Sequence, residues 1–502
     1  MPLRTQPESL QRACMLSVAR NFDYLCYRVN SRKEMSKMIS DESYLQVEGP
    51  FKEMPGSVLG NIVKFCGENN LCVRRWHSHP LIRPQLDCMK IGWANDAETT
   101  LNMIYDRCQK LTRLDLGYLN NIGPGMFIKL MPRLTEIQVL KLNNSEVIDT
   151  VCEEIGKYCP RLMDLDISNT CITDIGLQSL CVDEAGDLRC QRLTKVTLAG
   201  SLISPRGIGI MLFYLPNLME VDYERIFLVF DCVGEWGLSL QDIYGGKTKK
   251  LKLLSLTSVH NYINPETLEI ACALCPYATT ISLSNACLDN DLLLKVMAFE
   301  NLTHLRLTNS DNLTMDFHEG VLPILTIKGH QLLTLLLVKF TSIDVAAIGE
   351  CCPRLENIAL DLIGQYEEIL YPRENLFTKL HVAEIWTDLS VRTLNEVILK
   401  QLLMFCPDIK HLLVRSADYF TDKLLFDIWR ENPMKKLSRF TVDGCPNISA
   451  AILSNIFDME NDITTIRVWN CFLITKQDEQ KIQKRIKAEN CDCYLEWYSY
   501  GD

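Results

Sequence analysis

The apolar residues of this chain repeat with a regular spacing. Leu111, Leu114 and Leu116 follow the pattern L-x-x-L-x-L, and the pattern returns at intervals of about 26–27 residues. Further clear copies begin at Ile137, Leu162, Leu193, Leu218, Leu251, Ala278, Leu302, Leu332, Leu355, Ile409, Leu437 and Ile463. Weaker copies contain Leu86, Met89 and Ile91, and Phe377, Leu380 and Val382. The pattern therefore predicts about 15 stacked units of one type.

Each unit is predicted to form a short strand and a helix. Alternate side chains of L-x-L point inward, as in a β-strand, and apolar residues at helical spacing follow, for example Ile148, Val151 and Ile155. One unit cannot bury its own apolar face, so neighbours must stack. The spacing is that of a leucine-rich repeat. We therefore predict one curved α/β solenoid with a concave parallel sheet over residues 81–490, a capping strand within 491–502, and a separate helical segment over 1–80.

The chain has 22 cysteines, and the repeat accounts for most of them. Several precede a proline at a predicted helix end, as in Cys159-Pro160 and Cys352-Pro353, where a small apolar side chain packs inward. This pattern resembles the cysteine-containing leucine-rich repeats of F-box proteins and other ubiquitin-ligase receptors. We expect no disulfide and no metal. A candidate zinc set with non-standard spacing comprises Cys66, Cys72, His77 and His79.

Composition and charge narrow the function classes. The net charge of −11 argues against non-specific nucleic-acid binding, which needs a basic surface. No apolar run approaches the roughly 18 residues of a membrane helix, and the charged N-terminus predicts no signal peptide. These features predict a cytoplasmic or nuclear protein. No P-loop, G-x-S-x-G or H-E-x-x-H motif occurs, so we expect neither an enzyme nor a cofactor.

The N-terminal segment contains a narrow apolar stripe. Leu10, Cys14 and Val18 fall on one side of a predicted helix that Ser9 helps to start. The stripe resembles the BC-box of elongin-binding proteins. That resemblance implies that Leu10 enters an apolar pocket on elongin C, which is paired with elongin B, and that the small Cys14 permits close approach of the helix.

A second element follows the stripe. Pro55, Val58 and Ile62 are spaced as in a cullin-2 box, in which a helix starts with proline in its first turn. The order of BC-box, proline-started helix and leucine-rich repeats resembles the Zyg/Zer family of substrate receptors for cullin-2 ubiquitin ligases. We expect no counterpart of the armadillo-like domain of that family among these repeats, so the substrate specificity of that domain is not carried over. The resemblance implies elongin B, elongin C and cullin-2 as partners.

Two alternatives remain open at this point. Met54-Pro55, Leu59, Phe65 and a late Trp76 are similar to an F-box, which would imply the F-box adaptor and its own cullin. The other alternative is a scaffold or inhibitor outside any ligase, in which the N-terminal helices only cap the repeats. In that case the Leu10 stripe would be buried against the first repeat, around Met89 and Ile91.

The protein substrate is expected on the concave sheet. Outward strand positions carry acidic residues in the N-terminal half and basic residues later. Exposed aromatic and arginine side chains often anchor interfaces. The residues that we predict to contact substrate are Tyr118, Asp166, Arg306, Arg415 and Trp469.

Overall fold

The computed structural model describes residues 10–29, 31–69, 75–91, 97–236, 243, 248–259, 263–284, 288–362, 374, 376–387 and 396–499. These residues fall into two compact units. The first unit lies within Glu8–Leu254 and includes Ala273–Cys275, and the second contains Ser255–Cys272 and Pro276–Asp502. Ser9 and Cys72, which the sequence singled out, lie outside the described residues.

The first unit begins with helices and continues with alternating strands and helices. Its strands are β1 Cys88–Lys90, β2 Arg113–Asp115, β3 Val139–Lys141, β4 Asp164–Asp166, β5 Lys195–Thr197 and β6 Glu220–Asp222. Its helices are α1 Leu10–Arg20, α2 Phe22–Tyr27, α3 Arg32–Ser40, α4 Gly56–Glu68, α5 Arg75–Leu81, α6 Ala97–Arg107, α7 Pro124–Leu130, α8 Asp149–Tyr158, α9 Asp174–Cys181, α10 Pro205–Tyr214 and α11 Ile226–Asp231. Short 3-10 helices occupy Ser43–Gln46, Met131–Arg133 and Val233–Trp236.

The second unit repeats the same alternation. Its strands are β7 Ser255–Val259, β8 Thr280–Ser284, β9 His304–Thr308, β10 Thr334–Phe340, β11 Asn357–Leu362, β12 Val382–Thr387, β13 His411–Arg415, β14 Arg439–Asp443, β15 Thr465–Trp469 and β16 Tyr494–Tyr498. Its helices are α12 Pro265–Leu274, α13 Asn290–Leu294, α14 Leu322–Lys328, α15 Val345–Cys351, α16 Glu396–Leu403, α17 Asp422–Glu431, α18 Ala450–Asp458 and α19 Lys476–Ala488. Short 3-10 or π segments lie at Lys295–Ala298, Phe317–Val321 and Gly329–Gln331.

The strands form two parallel sheets in chain order. β1 to β6 make a six-stranded sheet and β7 to β16 a ten-stranded sheet, and every described strand pair is parallel. The leucine-rich-repeat α/β fold is confirmed, and β16 extends the second sheet as the predicted capping strand. The sequence predicted one continuous sheet, whereas the described strands form two. The long segment between Asp222 and Ser255, which contains α11, separates them along the chain.

One predicted copy, in β7, was assigned out of register. Leu256 and Ser258 are in register with the inward residues Ile281 and Leu283 of β8, whereas the apolar pattern predicted Leu254 and Leu256 at the inward positions. Ser258 is 0% exposed. A serine therefore occupies a position at which the pattern expects a large apolar side chain, which is why the pattern was misread.

The copy in β12 was also misread. Ala383 is in register with the inward Leu412 of β13, so this copy begins at Leu380 rather than at Phe377. Ala383 is 0% exposed, and its small side chain hid the inward position. The corrected register places Trp386 in the outward row of the sheet.

A left-handed residue ends the strand segment at the same repeat position in both sheets. This residue lies seven positions after the first apolar residue of the motif, and glycine or asparagine is the usual choice for such a conformation. In the first sheet Asn144 and Asn169 have φ values of 52° and 51°, and Gly200 has 71°. The other examples are Tyr118, Lys339, Ser416, Gly444 and Asn470. The chain therefore turns out of the sheet by one recurring device.

Side chains also link successive helices of the outer layer. Asp149 in the first turn of α8 accepts hydrogen bonds from the Thr173 backbone N–H (2.8 Å) and hydroxyl (2.7 Å). Asp174 accepts from Ser204 in the same way, and so does Asp422 from Ser449. Each aspartate therefore holds the N-cap residue of the following helix in place. The side chain of that N-cap residue accepts a hydrogen bond from a backbone N–H in the first turn of the same helix. We did not predict this ladder from the sequence.

Candidate functional site

The first helix packs on the protein along one side only. Ala19 is buried, and the Arg12 guanidinium lies over the Phe65 ring of α4, 5.8 Å from its centroid. A chain of aromatic contacts holds the next helix, because the Phe22 ring lies 5.8 Å from Phe51 and 5.1 Å from His77. The packed side of α1 thus belongs to a small helical core at the start of the first unit.

The predicted apolar stripe lies on the opposite side of α1. Leu10 is 81% exposed, Cys14 is exposed and Val18 is half-buried. Burying a leucine side chain stabilises by about 1.5–3 kcal/mol, so an exposed leucine beside an exposed small thiol offers a partner a substantial apolar contact. The cap-only alternative requires the stripe to be buried against Met89 and Ile91. Leu10 and Cys14 are exposed instead.

The fourth helix packs closely against the first strand. A Cβ at Gly56 would overlap the Gln85 carbonyl oxygen, and a Cβ at Gly60 would meet the Cys88 Sγ at 2.5 Å. The two glycines therefore permit a helix-to-strand approach that any larger residue would block. Pro55 stands at the N-cap, one position before the helix, and its carbonyl accepts from the Leu59 N–H at 3.0 Å.

The three predicted cullin-box residues lie in different environments. Pro55 is exposed and Val58 is 43% exposed, so both are accessible to a partner. Ile62 is only 4% exposed. Its place in the adaptor-facing set is corrected, because at helical spacing it shares the inner face of α4 with Leu59 and packs within the chain.

A buried polar network supports these helices. Arg107 of α6 donates to the carbonyl oxygens of His79 and Ile82, at 3.2 and 3.4 Å, and its guanidinium lies 3.3 Å from the His79 Nδ1. Burial, reinforced by the charges of Arg107 and Arg83, lowers the pKa of His79 to about 4. His79 is therefore neutral at physiological pH and accepts from the arginine through Nδ1.

The candidate zinc ligands do not form a metal group among the described residues. In the parts of the chain that the structure describes, no three His, Cys, Asp or Glu side chains are placed to hold a metal ion. His77 instead lies 3.4 Å from the Asp23 carboxylate, and His79 contacts Arg107 as above. Cys72 is outside the described residues.

The outward face of the first sheet carries alternating charges. The central outward row, read in register from β1 to β6, contains Lys90, Asp115, Lys141, Asp166, Thr197 and Asp222. Lys90 pairs with Asp115 at 3.2 Å. Asp166 accepts from the Ser168 N–H and hydroxyl, and Tyr118 is 50% exposed at the turn after β2. Both predicted residues of this sheet therefore face outward.

The outward face of the second sheet is mixed aromatic, apolar and charged. Arg415 and Trp469 are the register neighbours of Asp443 on either side, and the Arg415 Nε donates to the Asp443 Oδ2 at 2.9 Å. Arg306 is exposed on β9, four strands from Arg415 in the sheet order. The sheet therefore brings Arg415 and Trp469 together but leaves Arg306 apart.

Two outward residues that sequence reasoning missed complete this part of the sheet. Trp386 is in register with Arg415, and it was overlooked because the β12 copy was assigned out of register. Tyr498 of β16 is in register with Trp469 and is 51% exposed. The signal that could have found Trp386 is the pattern Leu380-x-x-Ala383-x-Ile385, if a small residue is accepted at an inward position.

Comparison with known proteins finds no matching family model and no matching curated protein. Among solved structures the chain is similar to the complex of Rad7 and Elc1 in yeast, with 12% identity over 94% of this chain and 96% of that chain and a TM-score of 0.42. It is also similar to an internalin from Listeria monocytogenes, with 13% identity over 81% and 89% of the two chains and a TM-score of 0.37. The mouse RP105/MD-1 complex gives 16% identity over 82% and 83% and a TM-score of 0.37. We draw no functional conclusion from likenesses of this level.

No helix in the described part of the chain is both long enough and apolar enough to cross a membrane.

Proposed function

We propose that this protein is a substrate receptor of a cullin-RING ubiquitin ligase of the elongin B–elongin C and cullin-2 type. In this role α1 binds elongin C, the exposed start of α4 approaches the cullin, and the outward sheet faces hold a protein substrate. The receptor catalyses nothing itself. It accelerates ubiquitin transfer by holding the substrate near the charged enzyme, which raises the effective concentration of the reacting groups.

The observation that supports this proposal is the exposed stripe of α1. An amphipathic helix that only caps a repeat array places its apolar residues inward. Here Leu10 is 81% exposed, while the inner side of the same helix is already satisfied by Ala19 and by the contact of Arg12 with Phe65. Helix-in-groove recognition uses such an unpartnered stripe.

The F-box alternative assigns the recruiting role to α4 instead. The apolar residues that carry that resemblance are mostly inside the chain, since Leu59 is 0% and Phe65 8% exposed. Val58 is the residue of the same helix that faces outward, at 43% exposed. This distribution leaves α1 as the better candidate for the adaptor contact.

The test is co-purification of the full chain with elongins B and C, scored in parallel for the F-box adaptor. We expect the wild type to retain the elongins and the double variant Leu10→Ser with Cys14→Phe to lose them. The matched control is Gln11→Ser with Arg20→Phe, which makes equivalent changes at exposed positions outside the stripe. Retention by the stripe variant, or capture of the F-box adaptor in place of the elongins, would overturn the proposal.

The cullin contact is tested separately. With elongins B and C present, Val58→Glu should weaken cullin-2 binding by about tenfold, since a charge would be buried at an apolar contact. The neighbouring exposed position gives the matched control Ser57→Glu, which should bind as the wild type does. Equal binding by both variants would remove α4 from the cullin interface and leave the elongin contact untouched.

A further inference from the structure

A shallow groove crosses the first sheet at the entrance to its strands. Its volume is about 300 Å³, and four successive repeats contribute two neighbouring residues each. The residues that line it are Gln138, Val139, Met163, Asp164, Thr194, Lys195, Met219 and Glu220. We call this feature the entrance groove.

The backbone beneath the entrance groove is fixed by hydrogen bonds. Met163 N–H donates to the Gln138 carbonyl at 2.8 Å, Thr194 N–H to the Met163 carbonyl at 2.9 Å, and Met219 N–H to the Thr194 carbonyl at 2.8 Å. The groove is therefore a preformed surface, and a ligand would not have to order it. Preorganisation of this kind lowers the entropic cost of binding.

Two methionines give the groove an exposed apolar lining. Met163 is 43% and Met219 39% exposed, and Thr194 lies between them. Methionine side chains are unbranched and polarizable, so they adapt to ligand chains of different shape. Long aliphatic stems, including those of lysine and arginine, pack well on such a surface.

The charges around the groove are predominantly acidic. Asp164 and Glu220 line it, and the next outward row of the same four strands holds Lys141, Asp166, Thr197 and Asp222. Lys195 is the basic residue of the lining, and its Nζ is held by the Glu220 Oε2 at 2.5 Å. Hydrogen bonding to Glu220, together with the charges of Asp164 and Asp222, raises the pKa of Lys195.

Over these four strands the carboxylates of Asp164, Asp166, Glu220 and Asp222 outnumber the cations of Lys141 and Lys195. Neither Asp164 nor Asp222 makes a salt bridge within the described residues of the chain, whereas Lys195 already has Glu220. The groove therefore combines an apolar lining with a net negative charge. The chemistry complementary to it is an apolar stem that ends in a positive charge.

The dimensions match an extended chain. Four parallel strands about 4.8 Å apart span about 14 Å, which is the length of about four extended residues at about 3.3 Å each. The groove runs across the strands, so such a segment would contact all four repeats.

We propose that the entrance groove binds an extended polypeptide segment carrying lysine or arginine, with its aliphatic stems on the two methionines and its cationic heads at the surrounding carboxylates. The interpretation of the groove as a substrate site rests on the proposed receptor function. In that case the substrate is expected to carry a basic segment. The binding itself does not depend on any ligase partner.

The test uses fluorescence anisotropy with the full chain and no elongin. The probe is a fluorescein-labelled peptide of twelve residues in which lysine alternates with leucine, and its counterpart has glutamate in place of lysine. We expect the lysine peptide to bind, with an affinity that falls as salt is raised, and the glutamate peptide not to bind. Preference for the glutamate peptide, or no binding of either peptide, would overturn the proposal.

Matched variants separate the groove from the general acidity of the protein. Asp164→Asn with Glu220→Gln should weaken lysine-peptide binding by about tenfold, as expected when close charge pairs are lost. Glu98→Gln with Glu153→Gln removes the same charge from the exposed helices α6 and α8 and should change affinity by less than about twofold. Equal weakening by both pairs would mean non-specific attraction and would sink the proposal.

A third variant tests the apolar half of the site. Met163→Ala with Met219→Ala should weaken lysine-peptide binding by about threefold to tenfold without changing its salt dependence, because only apolar contact is removed. Circular dichroism of each variant checks that it is folded. Since no elongin is present, failure here leaves the receptor proposal standing, and failure of elongin co-purification leaves this result standing.

Discussion

The two sheets share one inward pattern but differ in what they present outward. In both, the inward residues are almost completely buried, for example Leu165 at 0% and Leu412 at 1% exposed, and both use a left-handed residue at the same position of the repeat. The strands of the first sheet are three residues long, and those of the second five to seven. The same repeat therefore tolerates strands of different length.

The outward rows show the larger contrast. The first sheet alternates lysine and aspartate, and its charged groups leave a net acidic surface over β4 to β6. The row of the second sheet at the same repeat position includes Arg306, Leu336, Leu413 and Arg467, and the next outward row contains Trp386, Arg415, Asp443, Trp469 and Tyr498. The fold constrains the inward positions only, so the outward rows are available for recognition, and the two faces suit different ligand chemistry.

The largest expected effect tests whether the inward rows are equivalent. Leu165→Ala and Leu412→Ala each remove a buried side chain from the middle of a strand, and each should lower the free energy of unfolding of its own unit by about 2–5 kcal/mol. Denaturant unfolding followed by hydrogen-exchange mass spectrometry would assign the loss to one sheet.

The outward neighbours supply the control for those substitutions. Asp166→Ala and Arg415→Ala, one residue and three residues further along the same two chain segments, should each cost less than about 1 kcal/mol. A loss of that small size for either leucine variant would show that the two inward rows are not equivalent.

The second prediction sharpens the contrast through pH, because a buried histidine stabilises the first unit. His79 is 4% exposed, and its pKa is lowered to about 4. An unfolded histidine titrates near 6.5, so the unfolded state binds more protons between pH 6.5 and 4. Stability is therefore complete above pH 6.5 and falls as the pH drops towards 4, by on the order of 2–3 kcal/mol.

Urea unfolding of the first unit at pH 7 and pH 5 measures this effect. His79→Asn should flatten the pH dependence and should start from a lower stability, because Arg107 loses its Nδ1 acceptor. His330→Asn changes an exposed histidine of the second unit and should leave the profile unchanged. An unaltered profile for His79→Asn would assign the acid sensitivity to other groups.

Much of the fold followed from the spacing of large apolar residues, and the errors have a physical cause. The β2 copy, with Leu114 and Leu116, was placed in its observed register because both inward residues are leucine. The β7 and β12 copies failed because Ser258 and Ala383 hold inward positions, and a pattern of large side chains cannot register small ones.

The candidate site was predictable in part. The periodicity of α1 placed Leu10 and Cys14 on one side, but it could not tell which side the protein would cover. That depended on Phe65 of α4, a residue far along the chain. The same limit explains Ile62, whose inward direction is fixed by the close approach of Gly60 to β1. The entrance groove was missed because Met163 and Met219 precede the strands and belong to no motif.

The third prediction concerns the side-chain ladder between helices. At Gly176 an added Cβ would overlap the Asp149 carboxylate, so Gly176→Ala should lower the stability of the first unit by about 1–3 kcal/mol. Asp149→Ala removes two hydrogen bonds to Thr173 and should cost about 1–2 kcal/mol.

The double variant decides whether this contact is the cause. With Asp149→Ala in place, Gly176→Ala should cost less than it does alone, because the carboxylate clash is gone and only the close approach to the Cα of residue 149, at 2.8 Å, remains, so the two losses will not add fully. Asp422→Ala in the second unit, which carries the same link to Ser449, should cost as much as Asp149→Ala. Additive losses would point to strain elsewhere in α9.

The smallest expected effect concerns the stripe itself. If α1 keeps Leu10 for a partner, Leu10→Ser should change the stability of the isolated chain by less than about 0.5 kcal/mol, since exposed positions outside caps and cores rarely cost more. Ile62→Ser buries a hydroxyl in place of an apolar side chain and should cost about 2–4 kcal/mol. Thermal unfolding of the two variants without elongins compares them directly. A large loss for Leu10→Ser would mean that the stripe supports the fold, and the cap-only alternative would then be the better account of α1.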